Sequence, residues 1–214
     1  ELSDDPDDTS LPMDHPSQAQ SGEKPLRPAV IALASSTGGP RALHELLTAL
    51  PADFPLPILS VQHIIKGSID DFAEVLADKC RIRVKLAEHG EPLIGATAYI
   101  APDDWHLEVA RPRASYTIAL SATASVDGFR PSASVLFASV ARRFGAGALA
   151  VVLTGMGTDG ISGLVEVRRA GGFILTQDES SSANYGMPGA VAEAGLSDLG
   201  LPLADIAAYL MGLV

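Results

Sequence analysis

Four short, almost wholly apolar runs constrain this chain most: AVIALA (29–34), LPILSVQ (56–62), ALAVVLT (148–154) and FILTQ (173–177). None alternates apolar with polar residues, so each needs cover on both faces, which is the condition of a strand inside a parallel sheet. Segments of helical period lie between them. Leu43, Leu46, Leu47 and Leu50 share one face of a helix starting near Gly39, and SIDDFAEVLADKC (68–80) places Asp70 and Asp71 in a first turn, where the helix dipole favours negative charge. Further helices are expected over 132–144, 158–170, 188–195 and 202–212, the last with Ile206, Tyr209, Leu210 and Leu213 as its docking face. Strand–helix–strand units of this size build a parallel sheet through right-handed crossovers. In the middle, TAYIAP (97–102), HLEVAR (106–111) and SYTIALS (115–121) alternate with little room for helix and predict antiparallel strands or a hairpin. The expected fold is α/β and doubly wound: a mostly parallel sheet with helices on both faces and a small antiparallel β insertion.

Composition narrows the classes of function. The formal net charge of -11 argues against nucleic acid, whose phosphates would be repelled. Residues 1–28 hold seven acids and five prolines with few large apolar residues, and read as a disordered acidic, proline-rich linker ahead of a folded domain over 29–214. The chain opens on Glu rather than Met and reads as a fragment with something once attached upstream. No stretch approaches the roughly 18 apolar residues of a membrane span, and no basic-then-apolar leader opens the chain, so no membrane insertion is expected. Cys80 is the single cysteine, which rules out an internal disulfide and fits a cytoplasmic location; its place at a helix end reads as a small buried hydrophobe.

Loops at the carboxyl ends of parallel strands are where such sheets build sites. The first run ends in Ser35-Ser36-Thr37-Gly38-Gly39, the second in Gln62-His63, and the third in Gly155-Met156-Gly157-Thr158-Asp159-Gly160. A serine, a histidine and an aspartate thus leave three strands on one edge, the set of a nucleophile, its base and the group that orients the base. LASSTGGP admits a second reading, a cradle for an anion at the Gly38-Gly39 helix start. It lacks the Lys-Ser/Thr pair of a phosphate loop and the spaced glycines of a dinucleotide fingerprint. A catalytic turn needs small residues two before and two after the nucleophile, and Ala34 and Gly38 flank Ser36 at those offsets. Ser35 and Thr37 remain competitors on composition alone. The runner-up function is accordingly a non-catalytic α/β module holding an anionic ligand. The histidines and Cys80 lack metal-ligand spacing, and no metal or cofactor is expected. His106 reads as structural support near the cleft, His44 as a helix-face residue and His89 as a turn residue. Arg130-Pro131-Ser132 is either a cleft border or a plain helix start.

ASSTGGP, VQHI, AYIAPDDWHLEV, GFRPSASVLFASVA, VVLTGMGTDG and NYGMPGAV, in unbroken order over about residues 29–212, resemble the signatures of the chemotaxis protein-glutamate methylesterases. The resemblance implies Ser36 as nucleophile, His63 as general base, Asp159 as the orienting carboxylate, Met156 at the oxyanion site and Thr37 within the pocket. It implies as substrate a glutamyl methyl ester on the cytoplasmic helices of a chemoreceptor, with methanol released, and deamidation of receptor glutamines as a further activity. In that family a receiver domain precedes the catalytic one. Residues 1–28 are too short to be one, so this chain is expected to act without phosphorylation gating. A hydrolase of the same chemistry in another sensory pathway fits these residues equally.

Overall fold

The computed structural model describes residues 27–111 and 115–214. The expected linker therefore lies almost wholly outside the described residues. In chain order the elements are β1 (Val30–Ser35), α1 (Gly39–Ala49), β2 (Ile58–Gln62), α2 (Ile69–Lys79), β3 (Arg83–Leu86), β4 (Thr97–Ile100), β5 (His106–Ala110), β6 (Thr117–Ser121), α3 (Ala133–Phe144), β7 (Ala148–Val152), α4 (Ile161–Arg169), β8 (Phe173–Gln177), α5 (Gly186–Glu193), β9 (Leu199–Leu201) and α6 (Leu203–Met211). Seven strands form one sheet in the order β3-β4-β2-β1-β7-β8-β9, every pair parallel, and β5 and β6 form a separate antiparallel pair.

The two faces of the sheet follow from the period of two along each strand. Ile31 and Leu33 of β1, with Leu149 and Val151 of β7, face a core closed by α1, α2 and α6. Val30, Ala32 and Ala34, with Ala148, Ala150 and Val152, face a second core closed by α3, α4, α5 and the β5–β6 hairpin. Small residues on this second face let α3 lie close against β1 and β7. That closeness matters because α3 begins at the site. On the first face Leu43, Leu46 and Leu47 of α1 are all buried, each contributing roughly 1.5–3 kcal/mol of transfer free energy. The stripe Ile206, Leu210 and Leu213 docks α6 into the same core, as its spacing predicts.

Two departures from the sequence reading stand out. TAYI pairs in parallel with both β2 and β3, so it belongs to the main sheet and only β5 and β6 make the antiparallel insertion. The strands β3 and β9 lie at the two edges of the sheet, where short polar or glycine-containing segments give no apolar run to read.

The order also fixes where a crevice opens. From β1 the chain winds outward through β2 to the edge strand β3 and back to β4, then crosses to start β7 on the other side of β1. Loops after β1, β2 and β7 therefore diverge at the carboxyl rim, at a topological switch point. No helix among the described residues is long and apolar enough to cross a membrane.

Candidate active site

Ser36 is the first residue beyond β1. Its amide donates to the Thr154 carbonyl at 3.1 Å, and its own carbonyl accepts from the Gly39 amide at 2.8 Å, closing the turn into α1. Both glycines are needed. Gly38 has φ +81°, and a Cβ there would lie 2.6 Å from the Ala183 Cβ; a Cβ on Gly39 would lie 2.1 Å from the Gln62 side-chain oxygen. The left-handed step falls on Gly38, since the non-glycine residues with positive φ among the described residues are Ala96, Asp104 and Asp127. Ser36 is thus presented without the backbone strain of a nucleophile elbow, and Ala34 sits undistorted in β1, in register with Val61 and Val152.

Burial separates Ser35 from the other two hydroxyls. Ser35 is fully buried and donates to Gln62 Oε1 at 2.6 Å, so its oxygen points into the protein. Thr37 is exposed on the cleft wall, and its carbonyl accepts from Thr154 Oγ1 at 3.0 Å. Gln62, to which sequence reasoning gave no role, joins two loops: its Nε2 donates to the carbonyls of Ser36 at 3.0 Å and His63 at 2.6 Å. The stretch Gln62-His63 at a strand end was the available signal, a polar residue inside an otherwise buried run.

His63 follows β2. Its Nε2 lies 3.1 Å from Asp159 Oδ2, too far off line to make a hydrogen bond, so neither ring nitrogen has a hydrogen-bond partner. One face of the imidazole stacks on Phe129, with ring centroids 4.3 Å apart and planes 9° from parallel. Asp159 is buried against the start of α3, where Oδ1 accepts from Ser132 Oγ at 2.8 Å and the Ser134 amide at 3.2 Å, and Oδ2 accepts from the Ala133 amide at 2.6 Å. Burial would push the Asp159 carboxyl up; the His63 imidazole, the two helix amides and the Ser132 hydroxyl outweigh it and hold the pKa below the ordinary value. A carboxylate at a helix N-terminus also satisfies amides that would otherwise be orphaned. Ser132 is therefore more than a helix start.

Ser36 and His63 line one cleft of about 640 Å³, with Ile65, Lys66, Phe129 and Arg130 on its walls. Lys66 and Asp104 form an ion pair at its rim, with Arg130 4.0 Å from the same carboxylate. Met156 lies on the Gly155–Gly160 loop with its side chain 64 % exposed. Gly155 packs so close to Ser36 that a Cβ would come within 2.9 Å of the serine Cβ, which brings the Met156 backbone beside the turn. His106 is fully buried, with Nδ1 accepting from the Ser132 amide at 3.2 Å and Nε2 donating to the Ala124 carbonyl at 3.1 Å; it is structural support. His44 is exposed on α1. His89 accepts from the Leu120 amide at 3.1 Å. Cys80 is half-buried at the end of α2 rather than fully buried, and burial pushes its thiol up to about 11.

A parallel doubly wound sheet with a serine, a histidine and a buried carboxylate on neighbouring carboxyl-end loops is the arrangement of an α/β serine hydrolase domain. A family model for CheB methylesterase matches residues 31–210, and the chain belongs to that family. It is 49% identical over 205 residues to the protein-glutamate methylesterase/protein-glutamine glutaminase 4 of Myxococcus xanthus, covering 96% of this chain and 57% of that protein. It is 48% identical over 179 residues to the protein-glutamate methylesterase/protein-glutamine glutaminase of the group 3 operon of Rhizobium meliloti, covering 83% and 49%. The chain thus spans about half the length of the curated relatives it matches. The crystal structure of the Thermotoga maritima CheB methylesterase catalytic domain aligns with a TM-score of 0.85 at 34% identity, over 88% of this chain and 100% of that one.

Proposed function

We propose that residues 29–214 are a serine esterase domain that removes methyl groups from glutamyl methyl esters of a chemoreceptor, and that the same site deamidates receptor glutamines. The observation that carries the reading is the His63–Asp159 pair, 3.1 Å apart, with the carboxylate held ionised by the start of α3 and the imidazole sharing a cleft with Ser36. Family membership favours this reading over a non-catalytic anion-binding module. The helix start favours it too, because the Gly39 amide is already committed to the Ser36 carbonyl.

The proton path in this reading runs through His63. Nε2 lies against Asp159, so the imidazole keeps its proton there and Nδ1 is the base. Ser36 Oγ attacks the ester carbonyl as Nδ1 takes its proton, and the negative charge forms on the carbonyl oxygen. The backbone amides of Met156 and Thr37 stabilise that oxyanion, at about 10²–10³-fold per donor. Collapse expels methoxide, which leaves as methanol with the proton from Nδ1. Water, deprotonated by Nδ1, then attacks the acyl-serine and releases the glutamate carboxylate and the serine hydroxyl. With a glutamine in place of the ester the same steps release ammonia. The proton transfers at His63 contribute about 10²–10⁴-fold.

The partner in this reading is a methylated helix on the cytoplasmic side of a receptor. The test is methanol release from a methylated receptor helix by the unsubstituted protein and by Ser36→Ala in parallel. Release by the first and none by the second is expected; equal release by both overturns the assignment.

A further inference from the structure

We propose that Phe129 is a positioning residue for the His63 imidazole, and that the loop from Ala122 to Ser134 sets the base and its carboxylate as one unit. The proposal rests on the reading of Ser36, His63 and Asp159 given above.

Directional hydrogen bonds do not fix the imidazole. Its contact with Asp159 is too far off line to be one, and neither ring nitrogen has a partner. A ring torsion of this kind is intrinsically broad, so an off-line contact at one edge leaves rotation about the Cβ–Cγ bond poorly determined. The parallel Phe129 ring, 4.3 Å away and 9° from coplanar orientation, covers one face and removes that freedom. It also keeps water from that face of the base.

Phe129 is itself mounted rigidly. Val126 and Phe129 exchange both backbone hydrogen bonds, at 3.0 and 2.9 Å, around Asp127 and Gly128, which have φ of 51° and 85°. Two left-handed central residues define the tight hairpin turn that Asp-Gly favours. The base of the loop is fastened at two points. Arg130 Nη1 donates to the carbonyls of Ala122 at 3.2 Å and Thr123 at 3.0 Å. His106 ties Ala124 to Ser132 through its two ring nitrogens, at 3.1 and 3.2 Å. Beyond Ser132 the same loop delivers the hydroxyl and the two amides that hold Asp159. One backbone segment thus presses a ring on the imidazole face and positions the carboxylate at the imidazole edge. A displacement of the loop moves both.

The test uses Phe129→Leu, which keeps apolar volume without a flat face, and Phe129→Tyr, which keeps the face. Methanol release is measured as kcat and KM, and the His63 ring-proton resonances are recorded without substrate. A stack of this kind corresponds to about a two- to tenfold bias in ring orientation. Phe129→Leu is expected to lower kcat about five- to tenfold with KM within about twofold, and to shift and broaden the His63 resonances. Phe129→Tyr is expected to recover most of the rate and sharp resonances. Full kcat in Phe129→Leu, a change confined to KM, or a Tyr variant no better than Leu each overturns the proposal. If the unsubstituted protein releases no methanol, the esterase reading fails, and the resonances still decide: unmoved His63 signals in Phe129→Leu refute positioning.

Discussion

Asp159→Asn removes one charge and one acceptor from a group that accepts three hydrogen bonds, from Ser132 Oγ and the Ala133 and Ser134 amides, and lies 3.1 Å from His63 Nε2. The asparagine has a single acceptor oxygen. With that oxygen in place of Oδ1, the new NH2 faces the Ala133 amide and His63; with it in place of Oδ2, the NH2 faces the Ser134 amide. Either rotamer leaves one α3 amide buried without a partner, at about 1–3 kcal/mol. Loss of the charge-assisted bonds adds to this, so urea denaturation at pH 7 should show a loss of about 2–4 kcal/mol. In the first rotamer Nε2 must become the acceptor, which moves the proton to Nδ1 and removes the base. The expected fall in kcat is about 10³–10⁴-fold. The pH dependence carries the same logic. The folded carboxyl is held below its ordinary value, so its stabilisation is complete above the unfolded pKa of about 4 and is lost as pH falls through the folded pKa. The stability gap between the two proteins should therefore close on acidification. Equal stability at pH 7, or a gap that stays constant into acid, refutes the account of how α3 holds the carboxylate.

Other consequences are independent of that carboxylate. Gln62→Leu leaves the Ser35 hydroxyl and the Ser36 and His63 carbonyls short of their partner, so thermal unfolding should fall by the equivalent of about 2–4 kcal/mol and kcat by at least tenfold. Gly39→Ala meets Gln62 at 2.1 Å and Ser35 at 2.8 Å and should yield little folded protein, whereas Gly67→Ala, with open space around it and φ +87°, should cost only about 1–2 kcal/mol in the same denaturation assay. Cys80, with its thiol pushed up to about 11, should alkylate slowly at neutral pH and gain rate steadily up to that pH; rapid modification at pH 7 would contradict the burial.

The parts of this architecture visible in the sequence are those that local pattern determines. β1, β2, β7 and β8 are buried on both faces, so their apolar runs could be nothing else. Ser36, His63 and Asp159 could be picked out as candidates because each lies on a loop that follows such a run. Edge strands were not. The alternation of Arg83 and Lys85 with Val84 and Leu86 in β3 lasts only four residues and β9 only three, too short for either to stand out from a loop. TAYI shows alternation, but its partners β2 and β3 are chosen by the crossover, which no local window contains. The supporting residues were hidden for a related reason. Ser132 meets Asp159 across 27 positions and Phe129 meets His63 across a longer span, so their roles exist only once α3 has docked on β1. His106 sat in a recognisable string, but its bridge between Ala124 and Ser132 depends on the same docking.

The central claim, that one hydroxyl is activated by one imidazole in this cleft, is tested most directly by labelling with a fluorophosphonate and mapping the adduct by mass spectrometry. The account predicts a single stable adduct on Ser36 in the unsubstituted protein, and its loss in His63→Ala with the fold retained. An adduct on Ser35 or Thr37, or labelling of Ser36 at an undiminished rate without His63, would contradict it.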